Sequence, residues 1–183
     1  MLSKVISAAM LGIHAYPVEV EVDVASRGLP FFSTVGLPDA AVKESKERVR
    51  AALKNTGFDF PLKQVVVNLA PADVKKEGSA FDLPISLGIL AATEQVREEK
   101  LKAIVILGEL SLDGQVKPIK GTLPIAVAAR DAGFRGVLLP RGNSKESAVV
   151  KGIEVLPLDT LSDCVQFLNG SLRIDPIEIN LDE

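Results

Sequence analysis

Cysteine and histidine occur once each in the 183 residues, as Cys164 and His14, and tryptophan not at all. A lone cysteine excludes an intrachain disulfide framework and fits a reducing compartment. One thiol and one imidazole are also too few for a structural zinc site. Aromatics are scarce, seven Phe and one Tyr, which leaves little for a base-stacking platform on single strands. No apolar run approaches the roughly 18 residues that mark a transmembrane helix. The N-terminal stretch has Lys4 as its one basic residue. Val5 to Ile13 is too short and too rich in small residues for a signal peptide, so it reads as a first strand. A cytoplasmic protein without membrane contact is expected. Charge of one sign is lacking too: 21 Lys plus Arg face 24 Asp plus Glu, for a net charge of −3. That balance argues against a broadly basic nucleic-acid binder and leaves room only for a local basic face. Neither G-x-x-x-x-G-K-[ST] nor G-x-G-x-x-G is present, so direct ATP chemistry on this chain is not expected.

The chain does hold a globular pattern, 47% hydrophobic and 25% charged, enough for one domain with a sizeable core. Val18 to Val24 alternates strictly, valines on one face and Glu19, Glu21 and Asp23 on the other, as in a half-wet strand of an antiparallel or mixed sheet. Phe31 to Val35 is a short strand. Asp39 is placed to cap a helix running to about Asn55, with Val42, Val49 and Leu53 as its apolar stripe. Gln64 to Leu69 reads as a buried strand. A polar loop, Ala70 to Ser79, leads to a nearly dry helix that begins near Ser79 to Asp82 and continues to about Gln95, with Asp82 as a cap. Ala103 to Leu107 is a second buried strand, and Glu109 to Pro118 a hairpin turning at Asp113-Gly114. Next come a helix from Thr122 to Ala132, a strand at Val137 to Leu139, a short helix from Ser144, a strand at Ile153 to Leu156 and a capped helix ending at Leu168. Strands first and helix–strand alternation after them indicate a two-layer α/β or α+β domain. Ser171 to Glu183 carries four acids and reads as a linker.

Few residues offer chemistry. His14, before the expected turn Ala15-Tyr16-Pro17, has no adjacent nucleophile, and no G-x-S-x-G elbow exists. Cys164 sits among Leu161, Val165 and Leu168 as a small core hydrophobe. Asp73, Glu77 and Asp82 could supply oxygen ligands to Mg²⁺. The structural reading, a solvated loop and a helix cap compensated by Lys75 and Lys76, is preferred, and no metal site is expected. Gly142-Asn143 reads as a turn. The candidate contact surface for DNA or a partner is basic: Lys43, Lys46, Arg50 and Lys54 on the first helix, with Lys75 and Lys76 in the loop.

Four blocks point further: V-G-L-P-D (Val35 to Asp39), K-E-S-K-E-R-V-R-A-A-L (Lys43 to Leu53), V-N-L-A-P-A-D (Val67 to Asp73) and K-K-E-G-S-A-F-D-L-P-I (Lys75 to Ile85). Together they resemble the N-terminal domain of magnesium-chelatase-like AAA+ ATPases of the ComM (YifB) type. The resemblance runs from the first strand to about Gly170. It implies a Lon proteolytic-domain-like and RadA-like fold, a mixed sheet packed with helices, over 1–170. Residues 171–183 would then lead to an AAA+ module outside the chain. It further implies a parent that binds ATP and Mg²⁺, assembles as a homohexamer and acts as a DNA helicase promoting branch migration in natural transformation. This chain would carry no cofactor itself and would serve ring assembly, DNA or partner binding. Other readings are a divergent Ser-Lys peptidase and a magnesium-chelatase-like scaffold.

The Lon likeness tests the peptidase reading on particular residues. Lon-type catalysis needs a serine nucleophile and a lysine base. Without gaps, the Lon run Asp-Gly-Pro-Ser-Ala-Gly falls on Glu77 to Asp82 and puts Ala80 at the nucleophile. The run Gly-Gly-Leu-Lys falls on Lys120 to Leu123 and puts Leu123 at the base. A one-residue gap would bring Ser79 onto the nucleophile and leave Lys120 short of the base position. No catalytic residue is therefore expected.

Overall fold

The computed structural model describes residues 1–179. Two long strands open the chain, β1 (Leu2–Leu11) and β2 (His14–Val24), paired antiparallel from Leu2↔Asp23 to Leu11↔His14. Their turn is Gly12-Ile13, with Gly12 at φ 64°, not the expected Ala15-Tyr16-Pro17, which lies within β2. Pro17 is tolerated there because β4 joins β2 only from Glu19 onward, so its missing N–H interrupts no ladder on that side. The valines of β2 are buried, and Glu19 and Asp23 are exposed.

The strand β3 (Phe31–Val35), helix α1 (Ala40–Asn55) and strand β4 (Gln64–Ala70) follow. Asp39 caps α1 as expected, its Oδ1 accepting the Val42 N–H at 2.7 Å. Helix α2 (Asp82–Ala92) is buried along its whole length and ends three residues before Gln95. The break lies at Thr93 and at Glu94, whose φ is +62°. A 3₁₀ turn at Glu99–Lys102 leads into β5 (Ile104–Ile106). The hairpin β6 (Glu109–Leu110) and β7 (Val116–Lys117) then precedes α3 (Thr122–Asp131), β8 (Gly136–Pro140), α4 (Arg141–Ser147), β9 (Glu154–Leu158) and α5 (Leu161–Leu168). Thr160 caps α5 through Asp163 N–H at 3.0 Å.

Gly142-Asn143 is not a turn but the start of α4. Asn143 clasps the backbone of Ile119, accepting from its N–H at 2.9 Å and donating to its C=O at 2.7 Å. A Cβ on Gly142 would stand 2.8 Å from Pro118 Cγ.

Seven strands form one mixed sheet in the order β3-β4-β2-β1-β5-β8-β9, with β6 and β7 as a separate hairpin. One core lies under α1, α2 and α5 and gathers the inward valines of β2 and β4. A second core, with Ile125, Ala126 and Ala129 of α3, covers the opposite face at β5, β8 and β9. Helix α2 approaches the sheet most closely at Gly88. A Cβ there would meet Val22 Cγ2 at 2.4 Å, and Ser3 Oγ donates to the Gly88 C=O at 2.6 Å. Residues 173–177 lie against the β9 side: Ile174 packs on the core, and Ile177 N–H donates to Val155 C=O at 2.9 Å. Residues 180–183 of the expected linker lie outside the described residues.

Candidate functional site

Two loops leave the same end of the sheet and are sewn together. Lys76 N–H donates to Leu37 C=O and Asp39 N–H to Lys76 C=O, each at 2.9 Å. The Lys76 ammonium turns inward and donates to the carbonyls of Gly36 (2.7 Å) and Pro71. Its side chain is wholly buried, and that burial pushes its pKa down from the ordinary lysine value. Lys76 therefore leaves the set of candidate DNA contacts. A lysine followed by exposed Glu77 looks solvated in sequence, and the two acceptor carbonyls that draw it inward have no sequence signature.

Asp39 has a second task beside its cap. Its Oδ2 accepts the Gly78 N–H at 3.3 Å, so the start of α1 fixes the loop before α2. Behind that loop opens a cleft of about 590 Å³, walled by Asp39, Glu77, Ser79, Glu109, Lys120 and the apolar Met10, among others. Ser79 and Lys120, the nearest matches to a Ser-Lys pair, are thus brought to one cleft. Among the described residues no hydrogen bond joins them. Leu123, at the expected base position, is the second residue of α3 and is exposed. Three carboxylates against one ammonium make the cleft acidic.

Asp82 is not a helix cap. It is the first residue of α2, is 0% exposed, and makes no capping bond. Its carboxylate accepts from Ser45 Oγ at 2.5 Å, Arg48 Nε at 2.7 Å, Arg48 Nη2 at 3.1 Å and the Leu110 N–H at 3.0 Å. One side chain thus ties α1, α2 and the β6 hairpin behind the cleft. Burial pushes the Asp82 carboxyl pKa up, and the bonds from Arg48, Ser45 and Leu110 oppose that rise. The Asp82 bond holds the Arg48 guanidinium above its usual range. A carboxylate at the head of a wholly buried helix demands a cation. That demand is legible in sequence. Which of the five basic residues on α1 answers it is not.

The exposed face of α1 retains Lys43, Lys46 and Lys54, while Arg50 is half-buried with its guanidinium 5.4 Å from the Phe60 ring centroid. Lys75 is exposed and 3.6 Å from Glu77. His14 is exposed, and Cys164 is buried, its thiol pKa driven well above the ordinary value by burial. Among the described residues no group of three or more His, Cys, Asp or Glu is placed to hold a metal ion, and no helix is long and apolar enough to cross a membrane. Asp82, one of the three candidate Mg²⁺ ligands, spends its oxygens on the seam just described.

A mixed sheet clothed by helices, with a cleft where the 71–79 loop meets the strand before α3, defines a Lon-like α/β domain. Residues 20–143 match the family described as subunit ChlI of Mg-chelatase, and the chain belongs to that family. It is 43% identical over 173 residues to competence protein ComM of Haemophilus influenzae, covering 94% of this chain and 34% of that protein. It is 41% identical over 174 residues to the YifB protein of Escherichia coli, covering 95% and 34%. A more distant likeness, 26% over 129 residues, joins it to the archaeal Lon protease of Methanothermobacter thermautotrophicus, covering 68% of this chain and 20% of that one. The chain spans about a third of the length of the ComM and YifB relatives.

Proposed function

We propose that the chain is a noncatalytic module of a larger ComM-like AAA+ ATPase, a cytoplasmic hexamer that uses ATP and Mg²⁺ to drive branch migration of DNA. In this reading the module helps to assemble the ring and offers the basic face of α1 to DNA. The observation that carries it is the state of the cleft: Ser79 and Lys120 line one cavity with no hydrogen bond between them among the described residues, and the residue expected at the Lon base position, Leu123, is apolar and exposed. A serine without a base is a weak nucleophile. Repetition of a weak basic surface around a ring would raise its effective affinity for DNA.

The peptidase reading rests on the same cleft, and one experiment separates the two. Incubation with a fluorophosphonate probe is expected to leave the chain unlabelled. Labelling that disappears in Ser79→Ala would establish the hydrolase and end the noncatalytic reading. The DNA role is tested by mobility shift at low salt. Neutralising Lys43, Lys46 and Lys54 together to Gln should weaken binding and flatten its salt dependence, with the thermal midpoint unchanged. Binding that ignores those substitutions removes α1 from the DNA path.

A further inference from the structure

The two edges of the large sheet are finished differently. At β9 the chain's own residues 173–177 lie alongside, with Ile177 bonded to Val155. At β3 the described residues supply no neighbour beyond β4. Phe31 N–H donates inward to Lys63 C=O at 3.4 Å. Bonding groups alternate in direction along a strand paired on one side, so the N–H and C=O of Phe32 and Thr34 point away from β4. Sheet edges are usually blunted by charge, proline or a bulge. Here no charged residue lies between Gly28 and Pro38, and no proline lies within the strand. Four apolar side chains of this stretch stand in solvent instead: Leu29 at 86%, Phe31 at 61%, Val35 at 45% and Leu37 at 52% exposure.

Those four are arranged symmetrically about Ser33. Phe31 and Val35 lie two residues to either side of it, Leu29 and Leu37 four. In two copies laid antiparallel about a two-fold axis at Ser33, Phe32 of each faces Thr34 of the other. These are the residues whose backbone groups point outward, so their N–H and C=O groups satisfy one another in both directions. Phe31 meets Val35 of the second copy, Leu29 approaches Leu37, and the small Ser33 side chains meet at the axis as a non-hydrogen-bonded pair. The segment is complementary to itself in backbone parity and in apolar pattern, the requirement for an isologous contact.

We propose that β3 is a self-association edge, pairing antiparallel with β3 of a second copy of this chain to continue the sheet across a two-fold axis. The proposal stands independently of the cleft's chemistry. It is tested by sedimentation velocity on the 183-residue chain from micromolar to submillimolar concentration. The mass should rise toward twice the 19.5 kDa of one chain. Thr34→Pro deletes an outward N–H without touching the β4 ladder and should return the chain to monomer. If circular dichroism shows that this variant does not fold, Val35→Lys takes its place with the same expected result. Ser33→Cys reads the register directly. Opposed residues of a non-hydrogen-bonded pair lie about 4.5 Å apart at Cα, within reach of a disulfide. Mild oxidation should therefore give a covalent dimer, while Ser171→Cys, exposed and remote from the edge in sequence, should not. A chain that stays monomeric throughout leaves the edge to an extended segment of another protein and overturns the proposal. So does a dimer indifferent to the edge substitutions, or a Ser33→Cys variant that cross-links no more than Ser171→Cys.

Discussion

Replacing Asp82 by Ala should cost far more than a helix-end effect. The carboxylate serves four donor contacts at 2.5–3.1 Å. Its loss strands the Ser45 hydroxyl and the Leu110 N–H, and a buried donor left unmade costs about 1–3 kcal/mol. Arg48 suffers less, because 21% of its side chain is exposed and Glu44 lies 3.7 Å away. Its share therefore stays well below the ~3–5 kcal/mol seen when a fully buried pair is broken, at about 1 kcal/mol, with each stranded donor near the low end of its range. A total loss of about 3–4 kcal/mol follows, against about 1 kcal/mol for a lost cap. Urea denaturation monitored at the helical circular-dichroism band measures it as a fall in midpoint at unchanged slope. A double-mutant cycle with Arg48→Ala should return a coupling of about 1–2 kcal/mol. A loss near 1 kcal/mol, or strict additivity with Arg48→Ala, would refute the seam and restore the capping reading.

Lys76→Gln should lower the thermal midpoint by unbinding the Gly36 and Pro71 carbonyls, whereas Lys75→Gln should leave it unmoved; equal effects would contradict the inward placement of Lys76. Gly88→Ala is a helix substitution that ordinarily gains up to about 1 kcal/mol. Here its Cβ meets Val22 Cγ2 at 2.4 Å, so a net loss of about 1–2 kcal/mol is expected, relieved when Val22→Ala is added. Cys164 has its pKa raised by burial. The stability it contributes is full below the ordinary thiol value of about 8.5 and is lost as pH climbs above it, because only the unfolded thiol then ionises. Chemical denaturation at rising alkaline pH should show a steeper decline in the native chain than in Cys164→Ala, and parallel declines would disprove this.

Most of the architecture was legible because it follows local rules. The alternation of Val18 to Val24, the Asp39 cap and the Asp113-Gly114 turn each announce themselves within a few residues. What sequence missed depends on distant partners. Lys76 looks like a loop cation until the carbonyls of Gly36 and Pro71 converge on it, and Gly142-Asn143 looks like a turn until Ile119 occupies the Asn143 amide. Asp82 satisfies the sequence rule for a cap while a serine and an arginine from α1 claim its oxygens. The Ser79–Lys120 juxtaposition needed the fold, since 41 positions separate them along the chain.

The Lys76 clasp has a mechanical consequence. Gly36 terminates β3 and Pro71 follows β4, and a single buried ammonium holds both carbonyls. A pull on the outer strand is therefore delivered through that ammonium and the Asp39 cap to the Gly78 backbone at the mouth of the cavity. Force borne at the rim of the sheet arrives at the cleft as a displacement of its wall, not as a loosening of a free loop.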